Sequence, residues 1–219
     1  ARGPVSYTDL EDMVDVPSAS FARYLRLLVE RGYVHRDDEG LYSLGWRLAQ
    51  MGRMAGSASP VQAAGAEHVR DLVAETSEAA ELVEFREGNM LFLERGESPR
   101  AVGVRARPGT IFPLGPGSAI GQLAMAHGLA AEGELDTDTA ERTRQEGYCE
   151  AIQNSGQVWR GAAAIRDVTG HVVGCLTIVA PAFRIGEAER ERFRDCLRTH
   201  ARAVSRDLGS PRPQPKPAL

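Results

Sequence analysis

The stretch from Val16 to Gly45, VPSASFARYLRLLVERGYVHRDDEGLYSLG, limits what this chain can fold into more than any other. Phe21, Leu25 and Leu28 recur at i, i+4 and i+7, the spacing of one buried helical stripe, while Ser20, Arg23 and Arg26 fall off that stripe. One helix face is therefore expected to pack and another to be presented. Ser18 is read as the cap of this helix, Pro17 as part of the break before it, and Gly32 as a left-handed stop. The residues that follow predict strand, turn and strand: Tyr33 to Arg36, the acidic tip Asp37-Asp38-Glu39-Gly40, then Leu41 to Leu44. Upstream, Thr8 and Glu11 have the spacing of a capping box, so a short helix is expected to about Val14. Helix, turn, helix and hairpin in this order predict a winged helix-turn-helix.

Composition restricts what such a helix can meet. The formal net charge is −4, so no overall basic field draws the chain to nucleic acid or membrane, and DNA binding must be local and geometric. Cys149, Cys175 and Cys196 are three in number and show no CxxC spacing. That argues against a disulfide framework and a structural zinc site, and for a reducing, cytoplasmic setting. No apolar run approaches the roughly 18 residues of a membrane span, and no leader opens the chain. Because the sequence starts at Ala1 rather than Met, an N-terminal piece, including a first helix before residue 8, is expected to be absent. At 219 residues, 42% of them hydrophobic, the chain is long enough for two modest domains, each with a core.

The remaining sequence predicts a second, mixed domain. A helical stretch from Trp46 to about Gly56 leads to a break at Ser57-Ala58-Ser59-Pro60, and a longer helix is expected over Val61 to Thr76. Glu81 to Phe85 and Met90 to Glu94 read as strands around a glycine turn, with a further strand at Ala101 to Arg105. Ser118 to His127 reads as a small-residue helix and Asp136 to Glu146 as an acidic one. Trp159 to Arg166 and His171 to Val179 read as strands, and Gly186 to Leu208 as the last helix. Residues 209–219, GSPRPQPKPAL, are proline-rich and expected to be disordered. Hairpin-connected strands with helices at both ends make an antiparallel α+β module the expected class.

Read together, VPSASFARYLRLLVERGYV, GLYSLGWRLAQMG, IFPLGPGSAIGQLAMA and EGYCEAIQNSGQVWRGAAAIRDVTGHVVGCLTIVAPAFR resemble, in order and spacing, the IclR family of bacterial transcription regulators. The resemblance implies a winged helix over residues 1–45, a linker helix over 46–60, and a GAF-like antiparallel effector-binding domain over 61–208. It implies a homodimer or dimer of dimers on palindromic double-stranded operator DNA, with Arg23 at the family's usual recognition-helix arginine; a repressor is expected, although the sequence does not distinguish repression from activation. Three positions depart from the family pattern. Thr177 and Val179 stand where serines often hold a small carboxylate, and Arg160 stands where some members have a pocket cysteine.

Two sets of residues carry chemistry. Ser18, Ser20, Arg23 and Arg26 on the helix, with Arg36 flanking the acidic wing tip, suit phosphate and base edges in a major groove. Strand alternation puts Cys175, Thr177 and Val179 on one face, and Arg160, Ala162 and Ala164 on one face of the neighbouring strand. Closed by Val104, Phe112, Ser118 and Ala119, these would wall a cavity whose helix start and Arg160 suit the carboxylate of an apolar, aromatic organic acid. The alternative is a filled apolar core with Arg160 paired to Glu150. Glu78, Glu81 and Glu84 are read as edge or solvent charges. The histidines are scattered, no catalytic triad or phosphate loop appears, and neither cofactor nor metal is expected. Two rival readings are a small-molecule sensor whose winged helix contacts protein, and a hydrolase or transferase using Cys175.

Overall fold

A computed structural model describes residues 4–56, 59–104, 109–129, 135–153 and 155–210. Residues 211–219 of the proline-rich tail lie outside them. The chain forms two compact units, 1–58 and 59–219. Among the described residues, no helix is long and apolar enough to cross a membrane.

The first unit contains α1 (Tyr7–Asp12), α2 (Ser18–Glu30), β1 (Val34–Arg36), β2 (Tyr42–Leu44) and α3 (Trp46–Gly56). β1 and β2 pair antiparallel, and Val5 joins the hairpin edge through two backbone bonds with Tyr42 of 2.9 and 2.8 Å. That extended anchor sets where α1 begins. The cap is Ser6, whose Oγ accepts from the Asp9 N–H at 3.2 Å, and not the predicted Thr8 and Glu11 pair. α2 is likewise capped by Pro17, whose carbonyl accepts from Ser20 and Phe21. Ser18 is therefore the first helical residue, exposed and without a side-chain cap bond, which corrects its expected role. The buried stripe is also narrower than predicted: Leu25 is buried, but Leu28 is 41% exposed.

Gly32 does end α2, with φ of 73°. A Cβ there would lie 2.9 Å from the Trp46 ring, and one on Gly45 would lie 2.1 Å from the Gly32 carbonyl, so glycines permit a close backbone knot between α2 and the start of α3.

The second unit is built on α4 (Pro60–Thr76), β3 (Ala79–Arg86), β4 (Asn89–Gly96), β5 (Ile111–Pro113), α5 (Ala119–Ala126), α6 (Thr137–Glu146), β6 (Tyr148–Gln153), β7 (Val158–Arg166), β8 (Val172–Pro181) and α7 (Glu187–Asp207). Its six strands form one antiparallel sheet in the order β5-β4-β3-β8-β7-β6. This is the expected α+β class. One sheet face packs on α4 and α7 through Leu72, Leu82, Trp159, Leu176, Ile178, Phe193 and Leu197, all 0–2% exposed. The other packs on α5 through Val83, Ala162 and Cys175 against Ile120, Leu123 and Ala124.

Two strand expectations change. Residues 101–104 are not a strand, and Arg105 lies outside the described residues. That segment is held by side chains instead: Arg95 Nη2 donates to the Val104 carbonyl, and Ser98 Oγ donates to the Ser77 carbonyl at 2.8 Å. β5 and β6, which the sequence reading did not anticipate, form the two edges of the sheet.

Candidate nucleic-acid interface and effector site

Arg23 and Arg26, one turn apart on α2, both point to solvent. Neither they nor Arg36 enters an ion pair among the described residues. The Arg23 guanidinium lies over the Tyr24 ring, 5.1 Å from its centroid. Arg36 leans on Tyr42 at 5.7 Å and reaches back over Gly40 of the wing tip. Arg26, Arg36, Tyr7 and Tyr42 border one small hollow of about 280 Å³. Asp37 is turned inward, accepting from the Glu39 and Leu41 backbone N–H groups at 3.1 and 2.8 Å. One of the three acidic tip residues is thus occupied holding the turn, and the cationic flank is left presented. Ser20 is half-buried at the base of the same helix.

In the second unit the side chains of β7 and β8 alternate as expected. Arg160 stands opposite Val179, Ala162 opposite Thr177 and Ala164 opposite Cys175, so all six side chains share one sheet face. On the other side of β8, Glu81 stands opposite Thr177 and Val83 opposite Cys175. Glu81 is central and fully buried. One of its oxygens pairs with Arg95. The other takes Arg160 and the Thr177 hydroxyl, the latter at 3.0 Å. Arg160 Nη1 also donates to Thr177 Oγ1 at 3.2 Å, and its Nε to Gln153 Oε1 at 3.3 Å. Gln153 in turn donates to the Gly117 carbonyl at 3.1 Å, tying the cluster to the loop that opens α5. Ser118 caps α5 by accepting from Gly121, Ala119 is buried behind it, and Phe112 on β5 stacks edge-on to Phe92 at 5.9 Å.

Several residues depart from their expected places. Glu81, Glu78 and Glu84 are buried, not solvent charges: Glu81 and Glu84 lie on β3, an inner strand covered on both faces, Glu78 immediately precedes it, and each glutamate has an arginine partner. Glu78 takes a bidentate grip from Arg184 at 2.7 and 2.6 Å. Glu150 is not Arg160's partner. It lies on the opposite parity of β6, accepts from Tyr148 Oη at 2.8 Å and faces Arg190 of α7 at 3.5 Å. Cys175 is fully buried and its thiol is pushed far up by burial, so it is a core residue and not a nucleophile. The sequence reading missed Arg95, Glu81 and Gln153 as members of the cluster. The available signal was that Glu81, two residues before Val83, must share that residue's face.

A winged helix with outward arginines, in the same chain as a sheet domain with a buried charged cluster, is an architecture that suits a one-component transcriptional regulator. Comparison with known proteins agrees. Residues 133–206 match the family model described as bacterial transcriptional regulator IclR, C-terminal. The chain is 23% identical over 230 residues to the HTH-type transcriptional regulator XynR of Escherichia coli, covering 93% of this chain and 89% of that one. It is 24% identical over 228 residues to KdgR of Dickeya chrysanthemi, covering 94% of this chain and 74% of that one. Among solved structures it resembles an IclR homolog from Microbacterium hydrocarbonoxydans complexed with 4-hydroxybenzoate, with a TM-score of 0.78, 22% identity and coverage of 94% and 92%. It also resembles Thermotoga maritima IclR, with a TM-score of 0.73, 20% identity and coverage of 95% and 93%. Residues 133–206 thus carry the IclR-type C-terminal domain, and over most of its length the chain is similar to HTH-type transcriptional regulators.

Proposed function

We propose that this regulator is a cytoplasmic repressor that reads a palindromic operator with α2 and senses a small aromatic organic acid at the Arg160 cluster. The observation that carries the sensing half is a charge imbalance. Two guanidiniums, with side chains only 2% and 11% exposed, share the buried carboxylate of Glu81; the further carboxylate that pairs with them among the described residues is Glu97, 59% exposed and 2.9 Å from Arg95, so positive charge is in excess inside the cluster. A carboxylate ligand would neutralise the surplus and accept charge-assisted hydrogen bonds, while the apolar neighbours Phe92, Val179 and Ala162 suit a ring. The acid bound by the Microbacterium relative has this chemistry. Arg23 and Arg26 supply groove and phosphate contacts, with Ser18, Ser20 and Arg36 beside them. Two heads in a homodimer, or in a dimer of dimers, fit a palindrome.

The test pairs calorimetry of benzoate and 4-hydroxybenzoate with mobility shifts on the DNA upstream of the gene. Arg160→Ala should weaken acid binding by about tenfold or more, as expected for losing a charge-assisted pair. A cavity of about 960 Å³ elsewhere in the unit is lined by Arg144, Arg166, Arg198, Arg202 and Arg206, so Arg202→Ala serves as the control and should leave the acid response unchanged. Arg23→Ala should abolish operator binding while acid binding persists. Equal acid affinity in wild type and Arg160→Ala would refute the assigned site, and full operator affinity in Arg23→Ala would refute the assigned reading residue.

A further inference from the structure

The helices on the opposite face of the sheet bring together a set of side chains that neither DNA reading nor acid sensing uses. On α7, Cys196 and His200 are four residues apart and so lie one above the other. On α4, His68, Asp71 and Glu75 follow i, i+3, i+7 spacing along one stripe. The two stripes meet. The Nδ1 atoms of His68 and His200 are 2.8 Å apart, with ring centroids at 5.0 Å. On its other edge, His200 Nε2 lies 3.2 Å from Glu75 Oε1, and Cys196 Sγ lies 2.9 Å from Glu75 Oε2. The ligating atoms of Glu75, Cys196 and His200 are all within 4.8 Å of one another.

We propose that Glu75, Cys196 and His200 form a transition-metal site of the zinc class that clips α4 to α7, with His68 as the positioning residue for His200. The donor set selects the ion. A thiolate, an imidazole and one carboxylate suit Zn²⁺ or Co²⁺, whereas Mg²⁺ and Ca²⁺ require oxygen ligands throughout. The dimensions fit as well. Zinc bonds of roughly 2.0 to 2.3 Å at tetrahedral angles place donors about 3.3 to 3.6 Å apart; Glu75 Oε1 already lies 3.2 Å from His200 Nε2, and the three donor atoms, all within 4.8 Å of one another, need shifts of about an ångström to reach that spacing.

The rest of the cluster suits the same role. When His200 donates its Nδ1 proton to His68, its Nε2 lone pair is left free and aimed at the Glu75 and Cys196 groups, which is how a metal-bound imidazole is usually fixed. Asp71 lies with His68 and His200 on that orienting side, its carboxylate within 4.8 Å of their ring nitrogens. Glu75, with a side chain 55% exposed, leaves an approach from solvent and a fourth coordination position for water. On binding, the metal–sulfur bond replaces the Cys196 S–H bond and one proton leaves to solvent. No redox change is involved. CxxC and HExxH patterns could not reveal such a site, because its ligands are about 120 residues apart in sequence and adjacent only through helix packing.

Cobalt titration of the chelator-treated full chain tests this. The wild type should take up Co²⁺ saturably, with intense visible bands of a tetrahedral ion and a near-ultraviolet thiolate-to-cobalt band, and Zn²⁺ should displace it and raise the melting temperature. Cys196→Ser should lose the thiolate band and bind at least about tenfold more weakly. His68→Gln should keep the band and weaken binding about tenfold, the range typical of an orienting partner. Glu75→Gln, at an exposed position, should weaken binding in a chain that circular dichroism shows to be folded. Absence of a thiolate band in folded wild type overturns the site, and so does a band that survives in Cys196→Ser, which would place the metal on another cysteine.

Discussion

Replacing Glu81 by glutamine should destabilise the second unit more than any other single isosteric change at a charged residue. Glu81 is fully buried, and its two oxygens serve Arg95, Arg160 and the Thr177 hydroxyl. The amide keeps the shape but removes the charge between two guanidiniums that are themselves nearly inaccessible, with side chains 2% and 11% exposed. Only Glu97, at 2.9 Å from Arg95 and 59% exposed, remains to compensate. Removing one partner of a buried pair typically costs about 3 to 5 kcal/mol. For a unit of this size, each kcal/mol lowers the melting temperature by roughly 2 to 4 °C, so a drop of about 6 to 20 °C is expected. The chain has two tryptophans, Trp159 fully buried in this unit and Trp46 65% exposed in the other. In a Trp46→Phe background, urea unfolding followed by tryptophan fluorescence therefore reports on this unit alone. Adding Arg160→Met to Glu81→Gln should recover part of the loss, since it removes one uncompensated charge, and the cycle measures the coupling directly. A Glu81→Gln loss below about 1 kcal/mol would refute the reasoning, because it would mean that the guanidiniums are solvated or paired elsewhere.

Three further outcomes follow from particular contacts. A Cβ on Gly121 would sit 1.7 Å from the Gly115 carbonyl, so Gly121→Ala should push the loop off α5, cost roughly 1 to 3 kcal/mol of stability by thermal melting, and blunt the acid response through the Gly117–Gln153–Arg160 chain. Burial, with help from the Arg166 and Arg144 charges, lowers His127 from 6.5 to about 4. The unfolded chain then binds the extra proton first, so stability should be full above pH 6.5 and fall toward pH 4, and His127→Phe should flatten that slope in pH-dependent melts. Thiol labelling of the native chain should modify the half-buried Cys196 and spare Cys149 and Cys175, which should react only on unfolding; rapid native labelling of Cys175 would contradict its burial.

The elements that could be read from sequence were those whose signals are local. Gly32 and Gly147 stop their helices with positive φ, Ser118 and Asp136 cap theirs with side-chain oxygens, and the Glu87-Gly88 turn joins β3 to β4. Alternation along β7 and β8 was enough to put Arg160, Thr177 and Cys175 on one face. What could not be read depends on the order of strands in the sheet. Whether Glu81 is solvated or buried turns on β3 lying between β4 and β8, and whether Arg160 meets Glu150 turns on the parity of β6, a strand whose polar residues hide it. The Ser6 cap was missed for a similar reason, since its position is fixed by the bridge between Val5 and Tyr42 and not by nearby residues.

The arrangement around Glu81 also bears on how an acid could act as a signal. A ligand shifts an equilibrium only by its differential affinity for the two states, commonly about 1 to 3 kcal/mol in allosteric proteins. One hydrogen bond to a charged group contributes about 1.5 to 3 kcal/mol, so exchanging a single arm of Glu81 for a ligand carboxylate is energetically sufficient. Arg95 makes that exchange consequential. The same guanidinium that holds Glu81 also holds the Val104 carbonyl, while Ser98 and Arg100 fasten the start of that segment to Ser77 and Glu78. An acid that draws Arg95 or Arg160 from Glu81 therefore competes with the anchors of residues 98–104. An apolar molecule of the same shape, without the carboxylate, would fill space but leave those anchors in place, so benzyl alcohol should bind without releasing DNA where benzoate does both.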